Sequence, residues 1–352
     1  MHRSTAIILI FVFVALVGIP VYLGVLGWVR ITEPYRGYTG GEQYVLIAPG
    51  TSTTDIGRRL ADAGVVPDRF TFRAAAWWSG AGSRLKAGEY RFDRPLTPVA
   101  VVEKLERGEV FTRRITFPEG LTLLEMAGLY EMHGFGSAAA FLAAARDVSA
   151  IRDLDPAATD LEGYLFPDTY ALARSASPAG LVSAMVARFK AAYEEALVGR
   201  IEEQSLDVRQ TLTLASLIEK ETSSDDERAL VAAVYRNRLR IGMAMQADPT
   251  VIYALSKAGR YDGNIRRTDL GFDSPYNTYR YPGLPPGPIA APGLAALRAA
   301  LAPADVPYLY FVSRNNGTHV FARTLAEHNA NVRKFQVEFF RARSKTAAGA
   351  KS

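Results

Sequence analysis

The chain is 352 residues long, 49% hydrophobic and 22% charged, with a formal net charge of +5; that length accommodates two or three domains. It contains no cysteine, which excludes disulfides, thiolate metal sites and cysteine nucleophiles. The four histidines (His2, His133, His319, His328) have no metal-binding spacing and no basic patch carries interleaved aromatics, so neither metal, cofactor nor nucleic acid is expected.

Ala6 to Val29 runs without a charged residue and is long enough to cross a bilayer as one helix. Tyr22 and Trp28 suit an interfacial position, and Pro20 is tolerated in a membrane helix. The rival is a cleaved signal peptide, but the apolar run is longer than a usual signal core. It is followed by Arg30-Ile31-Thr32-Glu33-Pro34 rather than a small-residue cleavage site. The expected layout is therefore a stub and uncleaved anchor over residues 1–30 and a Gly/Tyr-rich linker over 31–43. Arg3 stands on one side of the helix and Arg30 and Arg36 on the other, so charge leaves the orientation open.

Residues 44–110 read as a small unit. Tyr44 to Ile47 is a strand, Pro49-Gly50 a turn, and Thr54-Asp55 opens a helix carrying Ile56 and Leu60 that Gly64 stops. Phe70 to Trp78 is a second helix, Gly88 to Phe92 a strand, and Pro98 to Glu106 another helix. The pattern then repeats. Val45, Gly50, Ile56, Leu60 and Gly64 correspond at one offset to Ile115, Gly120, Met126, Tyr130 and Gly134, and Gly88–Phe92 is echoed by Gly163–Phe166. Two βααβ units are predicted.

Residues 111–340 carry the rest of an α+β chain. Asp160 to Tyr170 reads as a strand entering a proline turn, and Leu181 to Leu197 as a long amphipathic helix. Ser205 starts a helix that is apolar all round, and Ser224 with Glu227 has capping-box spacing for the next. From Gln246 the pattern turns irregular, and the aromatic, proline-rich stretch Ser274 to Gly293 reads as a functional loop. Leu294 to Leu301 is a helix, Tyr308 to Val312 and His319 to Phe321 a hairpin across Asn316-Gly317, and Leu325 to Arg343 a closing helix. Residues 341–352 form a basic tail expected to be disordered.

Within Leu214–Thr222, Glu219 lies about 20° from Leu212 around the helix, on an apolar face. A buried carboxyl is costly when charged, so its pKa rises, and a carboxylic acid that keeps its proton near neutral pH suits general-acid catalysis. The bland alternative is a helix-end Glu paired with Lys220 or Arg228. Tyrosines and amides in the nearby loop suit sugar rings. A glycosidase would need a second carboxylate, for which Asp248 and Asp168 are available; one carboxylate suffices if the substrate supplies its own nucleophilic hydroxyl.

Three long strings, Leu214–Thr222 (LASLIEKET), Val234–Leu255 (VYRNRLRIGMAMQADPTVIYAL) and Tyr276–Gly293 (YNTYRYPGLPPGPIAAPG), resemble the endolytic murein transglycosylase family, also called MltG or YceG-like. Leu161–Tyr170 is similar to the family pattern too. The resemblance implies a single-pass inner-membrane protein with an extracytoplasmic catalytic domain over 111–340 and a LysM-like unit over 44–110. It places the family's acid on Glu219. It implies cleavage of the MurNAc-β-1,4-GlcNAc bond by the muramyl 6-hydroxyl, leaving 1,6-anhydro ends and terminating nascent glycan strands beside peptidoglycan synthases. Gln246, Asp248, Tyr276, Asn277 and Tyr279 are the candidates for gripping sugar, and Glu221, roughly 160° around the helix from Glu219, is taken as structural. The alternatives are a muramidase-type hydrolase pairing Glu219 with Asp248, and a membrane-anchored glycan-binding scaffold.

Overall fold

The computed structural model describes residues 13–174, 176–198 and 206–341. The chain divides into two compact units, Met1–Arg113 with Ala171–Ser175 and Arg114–Tyr170 with Ala176–Ser352.

The first unit begins with α1 (Val14–Thr32), 19 residues of mean hydropathy 1.9, which is long and apolar enough to cross a membrane. Residues 6–12 of the expected span lie outside the described residues. Beyond it, β1 (Gln43–Ile47) pairs antiparallel with β2 (Gly88–Phe92), Val45 opposite Tyr90. Alternate strand residues turn into a core shared with α2 (Thr53–Asp62), α3 (Arg69–Trp78) and α4 (Pro98–Arg107). Ser52, Asp68 and Thr97 start the three helices by accepting backbone N–H groups that would otherwise lack partners. The expected linker is packed along this unit: Tyr35 N–H donates to Leu96 O (3.0 Å), Gly37 N–H to Gly64 O (2.8 Å) and the Tyr38 hydroxyl to Phe92 O (3.0 Å).

Strand β3 (Arg113–Thr116) pairs with β4 (Thr169–Leu172). Between them lie α5 (Leu123–Met132), opened by a Thr122–Glu125 capping box, and α6 (Ala138–Ala144). The internal repeat extends to backbone conformation: Gly50 and Gly120 have φ of 78° and 79°, Gly64 and Gly134 of 69° and 67°. Val45, Ile56 and Leu60 are buried, and so are Ile115, Met126 and Tyr130. The last element departs from the pattern. Gly163–Phe166 is a turn rather than a strand, because Gly163, at φ 83°, backs directly onto Pro288; extended structure begins at Thr169.

The remaining helices are α7 (Pro178–Leu197), α8 (Val208–Glu221), α9 (Asp225–Arg240), α10 (Asp248–Lys257), α11 (Leu294–Leu301) and α12 (Leu325–Val332). A π-helical stretch, Arg333–Glu338, follows α12. Short side chains along α11 let it pack against α7, α8 and α9. As its composition requires, α8 is buried at every position from Thr211 to Ile218. Asp207 with Gln210 forms its capping box; Ser205 lies outside the described residues. The predicted Ser224–Glu227 box is not made. Glu227 instead accepts the His319 backbone N–H (2.8 Å) and bonds His319 Nδ1 (2.8 Å), tying α9 to the hairpin β5 (Tyr310–Ser313) and β6 (His319–Ala322). The hairpin turn is longer than a two-residue Asn316-Gly317 loop. Arg314 N–H reaches Thr318 O (2.8 Å), with Asn315 and Gly317 in the left-handed region at φ 63° and 85°.

Candidate active site

The two carboxylates at the end of α8 have different surroundings. Glu219 Oε2 accepts the backbone N–H of Gly293 (3.0 Å), the residue that opens α11, and its Oε1 lies 3.9 Å from Arg228 Nη2. Burial raises its pKa, with the Glu119 charge adding to the effect; the Gly293 bond, Arg228 and Lys220 oppose. Glu119 crowds the same glycine: a Cβ on Gly293 would fall 1.8 Å from Glu119 Oε1. The Gly120–Leu121 backbone and Ala291 exchange hydrogen bonds, Lys220 Nζ donates to Gly120 O (3.1 Å), and Ile289 N–H donates to Ser216 Oγ (3.1 Å). Arg209 Nη1 donates to Pro286 O (2.8 Å), so the 286–293 stretch is strapped along α8. Glu219 belongs to that strap.

Glu221 lines a cavity of ≈ 320 Å³ together with Gln246, Asp248, Tyr279, Tyr235 of α9, Phe311 and His319 of the hairpin and His328 of α12. Its Oε1 accepts the Tyr235 hydroxyl (2.7 Å). Burial pushes the Glu221 carboxyl up and the Asp248 charge adds to that; the Tyr235 bond, His319 and Arg238 oppose. A buried carboxyl beside a second acid is the environment that retains a proton. Asp248 sits in the first turn of α10 and accepts the Tyr279 hydroxyl (2.6 Å). The α10 start is fixed by Thr278, whose Oγ1 accepts Ala247 N–H (3.0 Å) and lies 2.9 Å from Thr250 Oγ1. Gln246, just before it, holds φ at 50°, an uncommon conformation for a residue with a side chain and one that recurs at binding sites. Arg238 is engaged with backbone carbonyls, Leu309 O (2.7 Å) and Met245 O (2.6 Å), and fixes the wall rather than offering a free charge. His328 stacks on Tyr310 (5.1 Å); burial lowers its pKa, and its buried Nδ1 makes no hydrogen bond among the described residues.

Of the residues singled out in the sequence, Gln246, Asp248 and Tyr279 therefore meet, and they meet at Glu221 rather than Glu219. Asn277 does not join them. It is fully buried, its amide nitrogen donating to Leu270 O (3.0 Å) and Phe272 O (2.7 Å) and its oxygen accepting Tyr279 N–H (3.0 Å). Such an amide shapes the loop that presents Tyr279. Tyr276 packs on Tyr253 (4.9 Å), with Lys257 Nζ 5.3 Å from its ring centre.

Tyr253 and Lys257 line a larger and more apolar cavity of ≈ 530 Å³ that contains Glu162. Burial lifts Glu162 to about 8. Both of its oxygens are occupied, one by Leu123 N–H (3.0 Å) and the other by the Tyr253 hydroxyl (3.1 Å), so Glu162 joins the start of α5 to α10. Among the described residues no group of three or more metal-ligating side chains converges.

Tyr235, His319, His328 and Phe311 carried no signal in the sequence, because the hairpin and α12, which bring three of them to α8, are remote along the chain. One signal did exist for Glu221. Two acids separated by one residue face opposite ways on a helix, so only one of them can share a cavity with Gln246 and Asp248.

The YceG-like family model matches residues 45–334. The chain is 34% identical to the endolytic murein transglycosylase of Bacillus subtilis (strain 168), over 87% of this chain and 88% of that protein. It is 30% identical to the endolytic murein transglycosylase of Streptococcus pneumoniae D39 over 94% of this chain, which spans 65% of that longer relative. A crystal structure of a putative yceG-like protein from Listeria monocytogenes superposes with a TM-score of 0.55 at 32% identity, covering 83% of this chain and 99% of the other. With its helical α8 core, its 286–293 strap and matched residues running from the first strand to beyond the last hairpin, the chain belongs to the YceG-like family.

Proposed function

We propose that this chain is a peptidoglycan lytic transglycosylase that cuts within glycan strands, with Glu221 as general acid and then base. The observation that carries this reading is the convergence of Glu221, Gln246, Asp248 and Tyr279 on one cavity, in a chain whose relatives are named endolytic murein transglycosylases. Tyr279 and Phe311 offer ring faces to the apolar side of a sugar, while Gln246 and Asp248 offer polar atoms to its hydroxyls.

Glu221, protonated in its buried setting, donates its proton to the oxygen linking MurNAc C1 to GlcNAc. The C1–O bond breaks as positive charge develops at C1, facing the Asp248 carboxylate. The muramyl 6-hydroxyl attacks C1 and gives its proton to the Glu221 carboxylate, which restores the acid and leaves a 1,6-anhydro end; no water is consumed. Glu219, bound to the Gly293 N–H, is assigned to the scaffold. The α1 helix anchors the protein in the inner membrane with both units on the extracytoplasmic side. Cutting close to the membrane terminates strands as the synthases extend them, and the LysM-like first unit supplies further glycan contact.

The test is mass spectrometry of fragments released from purified peptidoglycan by the full chain and by Glu221→Gln and Glu219→Gln. Anhydro-muramyl ends that disappear in Glu221→Gln and persist in Glu219→Gln support the proposal. Loss only in Glu219→Gln returns the acid to the residue expected from the sequence. Reducing muramyl ends would mean hydrolysis with Asp248 as the second carboxylate, and binding without cleavage by the wild type would mean a scaffold.

A further inference from the structure

All three tryptophans of the chain, Trp28, Trp77 and Trp78, belong to the first unit. Trp28, in the penultimate turn of α1, meets Trp78 at the end of α3 edge to face, with ring centres 4.8 Å apart. Two residues further on, Arg30 pairs with Asp68 at the start of α3 (3.0 Å), and Ile31 enters the core. Trp28 and Arg30 differ by only about 3 Å along the axis of α1, yet they meet positions about 15 Å apart on α3. Helix α3 therefore runs across the end of α1, at the depth of Trp28.

Its two faces differ. Thr71, Phe72, Ala75 and Ala76 are buried in the unit. Phe70, Arg73, Ala74 and Trp77 form an outer stripe at helical spacing, with Phe70 61% and Trp77 82% exposed. Arg69 lies over the Phe70 ring at 4.7 Å. Large aromatics flanked by arginines on a helix crossing the end of an apolar span make up the composition of an interfacial helix: rings at headgroup level, guanidinium groups on lipid phosphates.

We infer that α3 is a second membrane-contacting element, its Phe70–Arg73–Trp77 face lying in the headgroup region of the same leaflet from which α1 emerges. This rests on the anchor reading of α1. The core lies on the opposite side of α3, so the outer stripe looks back along α1 toward the lipid. The contact would fix the height and tilt of the first unit above the bilayer.

The test uses the full chain reconstituted in vesicles of phosphatidylethanolamine and phosphatidylglycerol, with and without lipids brominated on the acyl chains near the headgroup. In a Trp28→Phe/Trp78→Phe variant, which keeps an aromatic ring at both positions, Trp77 is the sole tryptophan. In parallel, Leu23→Trp in a chain with all three native tryptophans changed to Phe reports on α1. Blue-shifted Trp77 emission that is quenched by brominated lipid, alongside quenching of the Leu23→Trp probe, supports the proposal. A quenched Leu23→Trp probe with a Trp77 that emits as in water and is quenched only by aqueous iodide overturns it and leaves the anchor standing. A Trp77 shielded from both quenchers would also overturn it, pointing to a protein contact. If neither probe is quenched by lipid, the anchor reading fails and this inference with it.

Discussion

The Tyr235 hydroxyl donates to Glu221 Oε1 over 2.7 Å, joining the last residue of α8 to the middle of α9 across the cavity. That bond favours the charged carboxylate and restrains a pKa that burial drives upward. Tyr235→Phe removes the restraint while keeping the ring. The Glu221 pKa then rises further, and the high-pH limb of the activity profile, where the acid loses its proton, moves to higher pH. Anhydro-end release measured across pH checks this; an unmoved limb would dissociate Glu221 from the titrating group.

Glu221 also has a cost in stability. A carboxyl whose folded-state pKa is raised binds more protons folded than unfolded, so stability falls as pH climbs from the unfolded pKa, about 4.3, through the raised folded value. Glu221→Gln keeps an oxygen for Tyr235 and removes the charge. We expect it to raise Tm at neutral pH, with the gain vanishing in acid, while turnover drops by about 10²–10⁴-fold. Thermal melts at several pH values, read beside activity, separate this from a variant that is merely misfolded.

Glu219, whose carboxyl is also pushed up by burial, should differ from Glu221 in activity. Its Oε2 satisfies the Gly293 N–H, and leaving a buried donor unpaired costs about 1–3 kcal/mol. Glu219→Ala should therefore lower Tm, whereas Glu219→Gln, which preserves an acceptor, should leave turnover within a few-fold of wild type. Denaturant midpoints for the two variants give the comparison.

Local chemistry explains which parts of this architecture were legible beforehand. The all-apolar wheel of Leu212 to Ile218 forces a helix buried on every side, and that is where α8 lies. The matched glycines Gly50/Gly120 and Gly64/Gly134 announced a repeat because left-handed backbone leaves few alternatives to glycine. Asn277 could not be placed, because a buried amide bonded to loop carbonyls and an exposed one gripping a sugar present the same letter in the sequence. The choice between Glu219 and Glu221 is not legible in the sequence for a related reason. The angle between them follows from the helix, but the wall each one faces is set by the 286–293 strap and by a hairpin beginning at Tyr310.

Gly163 shows how closely that strap fits. At φ 83°, a Cβ there would come 2.5 Å from Pro288 Cβ and 2.7 Å from its Cγ, and a proline ring in a strapped loop has little room to yield. Gly163→Ala combines that clash with left-handed strain and should cost at least about 1–3 kcal/mol. Loss of several degrees in Tm together with weakened activity is expected; a neutral outcome would mean that the strap can move.

Glu162 provides the sharpest contrast with Glu221, because both carboxyls are pushed up by burial and both line a cavity. They differ in what their oxygens hold. Glu162 accepts the Leu123 N–H and the Tyr253 hydroxyl, one on each oxygen, whereas Glu221 has a single hydrogen bond among the described residues, from Tyr235. A proton donor needs an oxygen that can reach the substrate, and Glu162 has both of its own committed. Glu162→Gln should consequently retain anhydro-end formation. With a folded-state pKa raised to about 8, the native fold loses stability as pH climbs from the unfolded pKa, about 4.3, to that value, so the relative stability of the variant should grow across that window and level off above it. Glu162→Ala, which orphans a buried N–H and a buried hydroxyl, should cost about 1–3 kcal/mol for each group left unpaired. Melts at pH values spanning about 4.3 to 8 and beyond, with product analysis on the same samples, check both; loss of anhydro ends in a well-folded Glu162→Gln would move the chemistry to the larger cavity.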